Sequence, residues 1–262
     1  MSVDAGGPNA ATVVRRPADG LMVPPVERAV SISLIVPTYN ESDNIVEVLE
    51  RTREALAAVA FEIIVVDDDS PDGTWRLVHE RFGDDPRINV VRRTGQRGLA
   101  MAVVRGLSEA SNEVCAVMDA DLQHPPEKLP ELLAAFEPGV DLVIASRYVE
   151  GGGVKRWSAP RRLVSRAATA LAHLALPPTK GVADPLSGFF AVRRAVVEDG
   201  PLVPIGYKIL LEIISTCDVE GIVEVPYVFT ERERGASKLG VGEYLDFVKH
   251  VLTLHWRLQA AS

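Results

Sequence analysis

Between Ser31 and Ser146 the chain repeats one unit: a short, mainly apolar run, a polar turn, then a segment whose apolar residues recur at helical spacing. The runs are "SISLIVP" (31–37), "FEIIVVD" (61–67), "INVVR" (88–92), "EVCAVMD" (113–119) and "DLVIAS" (141–146). Between them, "NIVEVLERTREALAAV" (44–59) sets Ile45, Val48, Leu49, Leu56 and Val59 on one helix face. Further helices are expected over Thr74–Phe82, Leu99–Ala110 and "EKLPELLAAF" (127–136). Strands that are apolar throughout are covered on both faces, and strictly alternating strands and helices pair in parallel, because a parallel return needs a crossover long enough to hold a helix. The pattern predicts an α/β fold with a mostly parallel central sheet flanked by helices. In such sheets ligands sit beyond the carboxyl ends of the strands.

Residues 1–30 are rich in Gly, Pro and Ala without a sustained period, and are expected to form a disordered tail. Residues 31–239 then form one folded domain, and 240–262 an amphipathic helix around "YLDFVKHVLTLHWRL" (244–258). Cys115 and Cys217 are expected as buried free thiols rather than a disulfide framework. With no signal-peptide core and no run of about 18 apolar residues, the reading is a cytoplasmic chain without a membrane span. A net charge of −8 argues against nucleic-acid binding. Yet Gly151–Ala183 carries Lys155, Arg156, Arg161, Arg162, Arg166 and Lys180 with no Asp or Glu.

Four strand ends carry concentrated polar chemistry: "PTYNE" (37–41), "DDDSPDGT" (67–74), "DADLQH" (119–124) and "SRY" (146–148). Any one could be an ordinary turn, since Asp, Ser and Pro favour turns locally. Gathered at one sheet edge, the like charges repel unless a cation or ligand offsets them. "DADLQH" suits a hard divalent cation, with carboxylates from Asp119 and Asp121 and the side-chain carbonyl of Gln123. So few oxygen donors point to Mg²⁺ or Mn²⁺, whose remaining positions phosphate or water can fill. His124, beside Pro125 and Pro126, is expected at the surface or in packing more than as a ligand. Neither G-x-G-x-x-G nor a phosphate loop occurs, and "GQRGLA" (95–100) only partly resembles that glycine spacing. Gly98 is expected to serve the loop entering the next helix.

"IVPTYNE", "VVDDDSPDGT", "MDADLQHPPE", "IASRY", "DPLSGFFAVRR", "IGYKILLE" and "RGASKL", in this order, resemble the family-2 glycosyltransferases of the polyprenol-phosphate (dolichol-phosphate) mannosyltransferase type. The resemblance runs from about Ser31 to Trp256 and implies a GT-A nucleotide-sugar-binding fold. It implies a GDP-mannose donor, Mg²⁺ or Mn²⁺, a polyprenyl phosphate acceptor and inversion at the sugar. By motif position, Pro37, Tyr39, Glu41, Val66 and Asp68 would hold the guanosine, with Asp119 and Ala120 nearby. Asp119, Asp121 and Gln123 would carry the metal. Arg147, Arg161, Ser165 and Arg232 would meet the acceptor phosphate, with Lys208 and Lys238 beside it and reaching the nucleotide sugar. Asp121, Arg147 and Arg232 would be the catalytic groups. A phosphate acceptor is anionic near neutral pH, with a second pKa of about 6, so no Asp or Glu need act as base. Asp184 of "DPLSGF" is either a site-loop residue or a turn former.

Two other functions fit the same strand ends: a glucosyltransferase using UDP-glucose, and a non-catalytic nucleotide-sugar-binding or scaffold protein. Many members of the type continue into transmembrane helices, whereas this sequence ends at Ser262 and resembles the single-domain versions. Peripheral attachment at the cytoplasmic membrane face is then expected, through a separate membrane-anchoring protein or through the chain's own surface. "RRLVSRAATALAHLAL" (161–176) would either lie among lipid headgroups or pack its apolar face on the sheet.

Overall fold

The computed structural model describes residues 13–15, 30–95, 97–198, 200–203, 205–230 and 241–261. Its strands are β1 (Val13–Arg15), β2 (Ile32–Thr38), β3 (Phe61–Asp67), β4 (Ile88–Arg92), β5 (Val114–Val117), β6 (Leu142–Ser146), β7 (Gly153–Val154), β8 (Phe190–Arg193), β9 (Gly221–Pro226) and β10 (Val228–Phe229). Its α-helices are α1 (Ile45–Ala55), α2 (Thr74–Phe82), α3 (Leu99–Glu109), α4 (Leu129–Ala134), α5 (Ala159–Ala175), α6 (Arg194–Glu198), α7 (Ile209–Thr216) and α8 (Val241–Ala261). Eight strands form one sheet in the order β1-β9-β6-β8-β5-β2-β3-β4, and β10 pairs with β7 apart from it. Every neighbouring pair in the large sheet is parallel except those of β8, which runs against both β5 and β6.

The central strands are largely apolar because both sheet faces are covered there, whereas the edge strand β4 leaves Asn89 and Arg92 exposed. All seven residues of β2 are buried, and they divide by the two-residue period. Ile32, Leu34 and Val36 join Val48, Leu49, Val78, Leu129 and Leu132 on one side. Ile35 faces the other, with Val103 of α3 and Ile209 and Ile213 of α7. Each such Leu, Ile or Val stabilises the fold by about 1.5–3 kcal/mol when fully buried. Helix α3 comes so near that a Cβ on Gly106 would lie 2.4 Å from Ile35 Cγ2.

Several expected boundaries shift for local reasons. Helix α1 ends at Ala55, and the buried Leu56 caps it rather than continuing it. "EKLPELLAAF" splits into a 3₁₀ turn, Pro126–Lys128, and α4 from Leu129, because Pro130 lacks an amide hydrogen and is tolerated only in a first helical turn. Of the expected tail, Val13–Arg15 pairs with Gly221–Val223 on the outer edge of β9, Val30 packs against the core, and residues 1–12 and 16–29 lie outside the described residues. Both cysteines are free; Cys115 is buried and Cys217 partly so. Burial pushes the Cys115 thiol up to about 12, leaving it unreactive.

A third cluster joins α5, α7 and α8 through Ala172, Leu176, Leu211, Phe247, Val251 and Leu254. At its heart the fully buried Glu212 of α7 accepts hydrogen bonds from Arg257 Nη1 (2.9 Å) and the Val203 amide (2.7 Å), and meets His250 Nε2 at 3.1 Å. The outward faces of α5 and α8 mix charges with exposed apolar residues, Leu163 and Leu174 on α5 and Leu245, Leu252 and Trp256 on α8.

Candidate active site

Strands β2, β3, β5 and β6 point the same way, so the four polar strand ends meet along one sheet edge. The reversed β8 adds a fifth element. The residues before it, Asp184–Gly188, arrive at that same edge between the ends of β5 and β6. Backbone strain gathers here too: Asn40, Asp69 and Leu122 have positive φ, and for Leu122 (61°) this is an outlier that turns the chain between Asp121 and Gln123.

On the β2–β3 side the acidic turn divides its labour. Buried Asp67 accepts the hydroxyls of Thr38 (2.8 Å) and Ser70 (2.6 Å) and the Ser70 amide (2.8 Å). Asp72 accepts the amides of Ser42 and Thr74, each at 3.0 Å, and the Thr74 hydroxyl at 2.6 Å. Those two carboxylates shape the turn and bind it to the end of β2. Asp68 instead accepts the Gly98 amide at 2.7 Å and pairs with Arg93 at 3.0 Å. Burial pushes its pKa upward, opposed by those two contacts and reinforced by Asp67. Asp68 thus latches the loop leading into α3, where Gly98 has φ +145°, which L side chains rarely adopt. From that loop Arg97 lies over the Tyr39 ring at 4.7 Å. Pro37 and Val66 are register partners, and buried Glu41 accepts the Asn44 amide group at 3.0 Å.

At the end of β5, buried Ala120 separates Asp119, about one-third exposed, from buried Asp121. Asp121 Oδ1 accepts the Gln123 amide at 3.1 Å, and Gln123 Nε2 donates to the Thr230 carbonyl at 2.9 Å. His124 is no surface residue. Its ring is buried among Phe189, Tyr227 and Phe229, and its Nδ1 accepts the Asp119 backbone amide at 3.1 Å. Burial pushes its pKa down to about 4, so it is a neutral packing group. Gly188 lies against both: a Cβ there would stand 3.2 Å from His124 Cε1 and 3.4 Å from Asp119 Oδ2.

At the end of β6, Arg147 forms a fork on Asp184, with Nε to Oδ2 at 2.8 Å and Nη2 to Oδ1 at 2.7 Å, and its amide bonds Oδ2 at 3.0 Å. The pair is buried, and although burial opposes the charge, the Asp184 bonds hold the Arg147 guanidinium well above its ordinary pKa. Lys208, where α7 begins, donates to the Leu186 carbonyl at 2.8 Å. Burial, with Arg147 beside it, pushes its pKa down to about 8, against the pull of Asp119 and Asp184. Helix α5 is pinned here because the hydroxyls of Ser165 and Tyr148 meet at 2.8 Å. The Trp157 ring lies under Arg161 at 4.4 Å and near Arg147 at 5.6 Å. Arg232 and Lys238 fall outside the described residues.

Asp119, Lys208, Arg147 and Asp184 therefore share one charged centre, with Arg161 and Ser165 on its flank. Sequence reasoning missed Glu224, whose signal was an acid inside the apolar run "GIVEVP" (221–226). It also missed that Asp184 is the counter-ion of Arg147.

Carboxylates at the ends of parallel strands thus face Arg147 and the partly buried Lys208 across one edge of an α/β fold of the GT-A type. Residues 33–200 match the family described as Glycosyl transferase family 2. The chain is 38% identical over 230 residues to the polyprenol monophosphomannose synthase of Mycolicibacterium smegmatis, covering 84% of each chain. It is 47% identical over 223 residues to the dolichol-phosphate mannosyltransferase of Pyrococcus furiosus, covering 85% of this chain but only 63% of that one. The crystal structure of mannosyl-3-phosphoglycerate synthase from Rubrobacter xylanophilus shares the fold, with a TM-score of 0.66 at 22% identity over 87% of this chain and 73% of that one. This chain belongs to glycosyl transferase family 2.

Proposed function

We propose that the chain transfers mannose from GDP-mannose to a polyprenyl phosphate, with inversion, at a membrane face. The observation that carries this reading is the opposition of Asp119 to the partly buried Lys208 and the buried Arg147 guanidinium, an acidic centre set against cations at one sheet edge. The names of the relatives support the choice of donor and acceptor.

Pro37, Tyr39, Glu41, Val66 and Asp68, with Ala120, would line the nucleotide subsite. Asp119, Asp121 and Gln123 suit Mg²⁺ or Mn²⁺. Both carboxylates are hard oxygen donors, and since the Gln123 amide nitrogen is committed to Thr230, the carbonyl oxygen is the end left for a cation. Two carboxylates and one carbonyl leave coordination positions that substrate phosphate or water can fill. Once bound, the ion supplies charge neutralisation of the departing GDP.

The remaining work falls to the chain's own cations. Arg147, Arg161 and Lys208, with Arg232 and Lys238 from the motif "ERERGASKL" (231–239), would hold the acceptor phosphate, and Ser165 would add a hydroxyl. A phosphate oxygen attacks the anomeric carbon in line as the bond to GDP breaks. The acceptor is already ionised, so the protein contributes alignment and charge stabilisation rather than a base. No helix among the described residues is long and apolar enough to cross a membrane. The exposed apolar residues of α5 and α8, beside Lys155, Arg156, Arg161, Arg162 and Arg166, would rest in the headgroup zone, with or without a separate anchoring protein.

The test is incubation with labelled GDP-mannose or UDP-glucose, Mn²⁺ and polyprenyl phosphate, followed by organic extraction. Extractable label from GDP-mannose is expected. Label from UDP-glucose alone would favour the glucosyl reading, and none from either donor would overturn transfer.

A further inference from the structure

Glu224 stands in β9 opposite Ile144 of β6, in a strand otherwise apolar, and it is only 4% exposed. An acid in such a place is costly unless its oxygens are bonded. Its Oε2 accepts the Ala183 amide at 2.7 Å and its Oε1 the Asp184 amide at 2.9 Å, and the Ser146 hydroxyl also bonds it. Two consecutive amides are thus clamped by one carboxylate. The second belongs to the residue whose own carboxylate forks onto Arg147. Arg147 is placed by Asp184, and Asp184 by Glu224.

We propose that Glu224 is a positioning residue for the acceptor phosphate: by clamping the amides of Ala183 and Asp184 it sets how Asp184 presents the Arg147 guanidinium. This rests on the reading above, in which Arg147 meets that phosphate. If the clamp only stapled a loop, its loss would lower stability without acting through Arg147. If it acts through Arg147, its loss appears in the acceptor KM and vanishes once Arg147 is already altered.

The experiment is steady-state kinetics with GDP-mannose, Mn²⁺ and a short-chain polyprenyl phosphate on Glu224→Gln, Arg147→Lys and the double variant, with GDP affinity measured by calorimetry. Glu224→Gln keeps the shape but turns one acceptor into a donor facing an amide, and should raise acceptor KM about tenfold, the scale of one lost charged hydrogen bond. GDP affinity should stay within about twofold, and the double variant should be no worse than the worse single one. An unchanged acceptor KM, an equal loss of GDP affinity, or fully additive effects would each overturn the inference. Should Glu224→Gln not fold, Asp184→Asn breaks the next link and is expected to give the same signature, with an unmoved acceptor KM counting against the proposal. If Arg147→Lys itself behaves as wild type, the acceptor reading fails first and the role of Glu224 falls with it.

Discussion

Replacing Glu212 with Gln should loosen α8 from the body of the protein while leaving the nucleotide site intact. The carboxylate is fully buried and takes hydrogen bonds from Arg257 and the Val203 amide, with His250 at 3.1 Å. Breaking a buried ion pair by removing one charge costs about 3–5 kcal/mol. Here Arg257 is about one-third exposed and can recover water, so the net cost is set lower, at about 2–3 kcal/mol. For a domain of this size, each kcal/mol lowers Tm by about 2–4 °C, so a fall of roughly 4–12 °C is expected in thermal unfolding followed by circular dichroism. The sign of the pH dependence follows from the shift. The bonds hold the folded-state pKa of Glu212 below its ordinary value, so its contribution is present above the unfolded pKa and is lost as pH falls through the folded one. The difference between wild type and Glu212→Gln should therefore shrink in acid. A variant melting within about 1 °C of wild type at neutral pH would refute the reasoning.

Asp121→Asn should lower turnover at least about a hundredfold, and undiminished wild-type transfer after exhaustive chelation would defeat the metal assignment. Lys208 is pushed down to about 8, so its positive charge is lost as pH rises through that value. Acceptor KM should climb above pH 8 in wild type and stay flatter in Lys208→Gln; parallel profiles would remove Lys208 from the acceptor site. Anionic vesicles should float the protein at low salt and release it as salt screens the charges, whereas equal flotation with Lys155, Arg156, Arg161, Arg162 and Arg166 all changed to Gln would sink the membrane-face reading.

Strands β3 and β4 were legible to the residue and helix α2 closely so, because their signals are local: apolar-rich strand segments and turn-forming residues at the segment ends. Strand β8 was not. Phe190–Arg193 is four residues long, and its reversed direction is decided by the strands it lies between. That reversal brings Asp184 to the strand ends, which is why Asp184 could not be told from a turn former in the sequence. The acidic turn shows the opposite limit. Composition marked all its carboxylates alike, yet Asp67 and Asp72 are consumed by the turn while Asp68 faces the loop before α3. His124 was expected in packing or at the surface, and only the aromatic residues that Phe189, Tyr227 and Phe229 bring from distant positions decide between the two.

The reversed strand β8 also bears on how a chain of this kind could be recombined. Apart from Lys208 and Lys238, which by motif position also reach the nucleotide sugar, the groups proposed for the donor and metal precede His124 and those proposed for the acceptor follow Ser146, so the two halves of the reaction occupy largely separate stretches of sequence. Strand β8, encoded in the later stretch, is inserted between β5 and β6 and hydrogen-bonds both. A chimaera that joins this donor half to another family member's acceptor half near residues 124–141 must therefore keep the register of Cys115 with Val192 and of Ala116 with Ala191. Slipping it by one residue would exchange the side chains β8 presents to the two faces of the sheet and shift Asp184–Gly188 relative to Asp119. Specificity is divisible along the chain only as far as that single antiparallel seam allows.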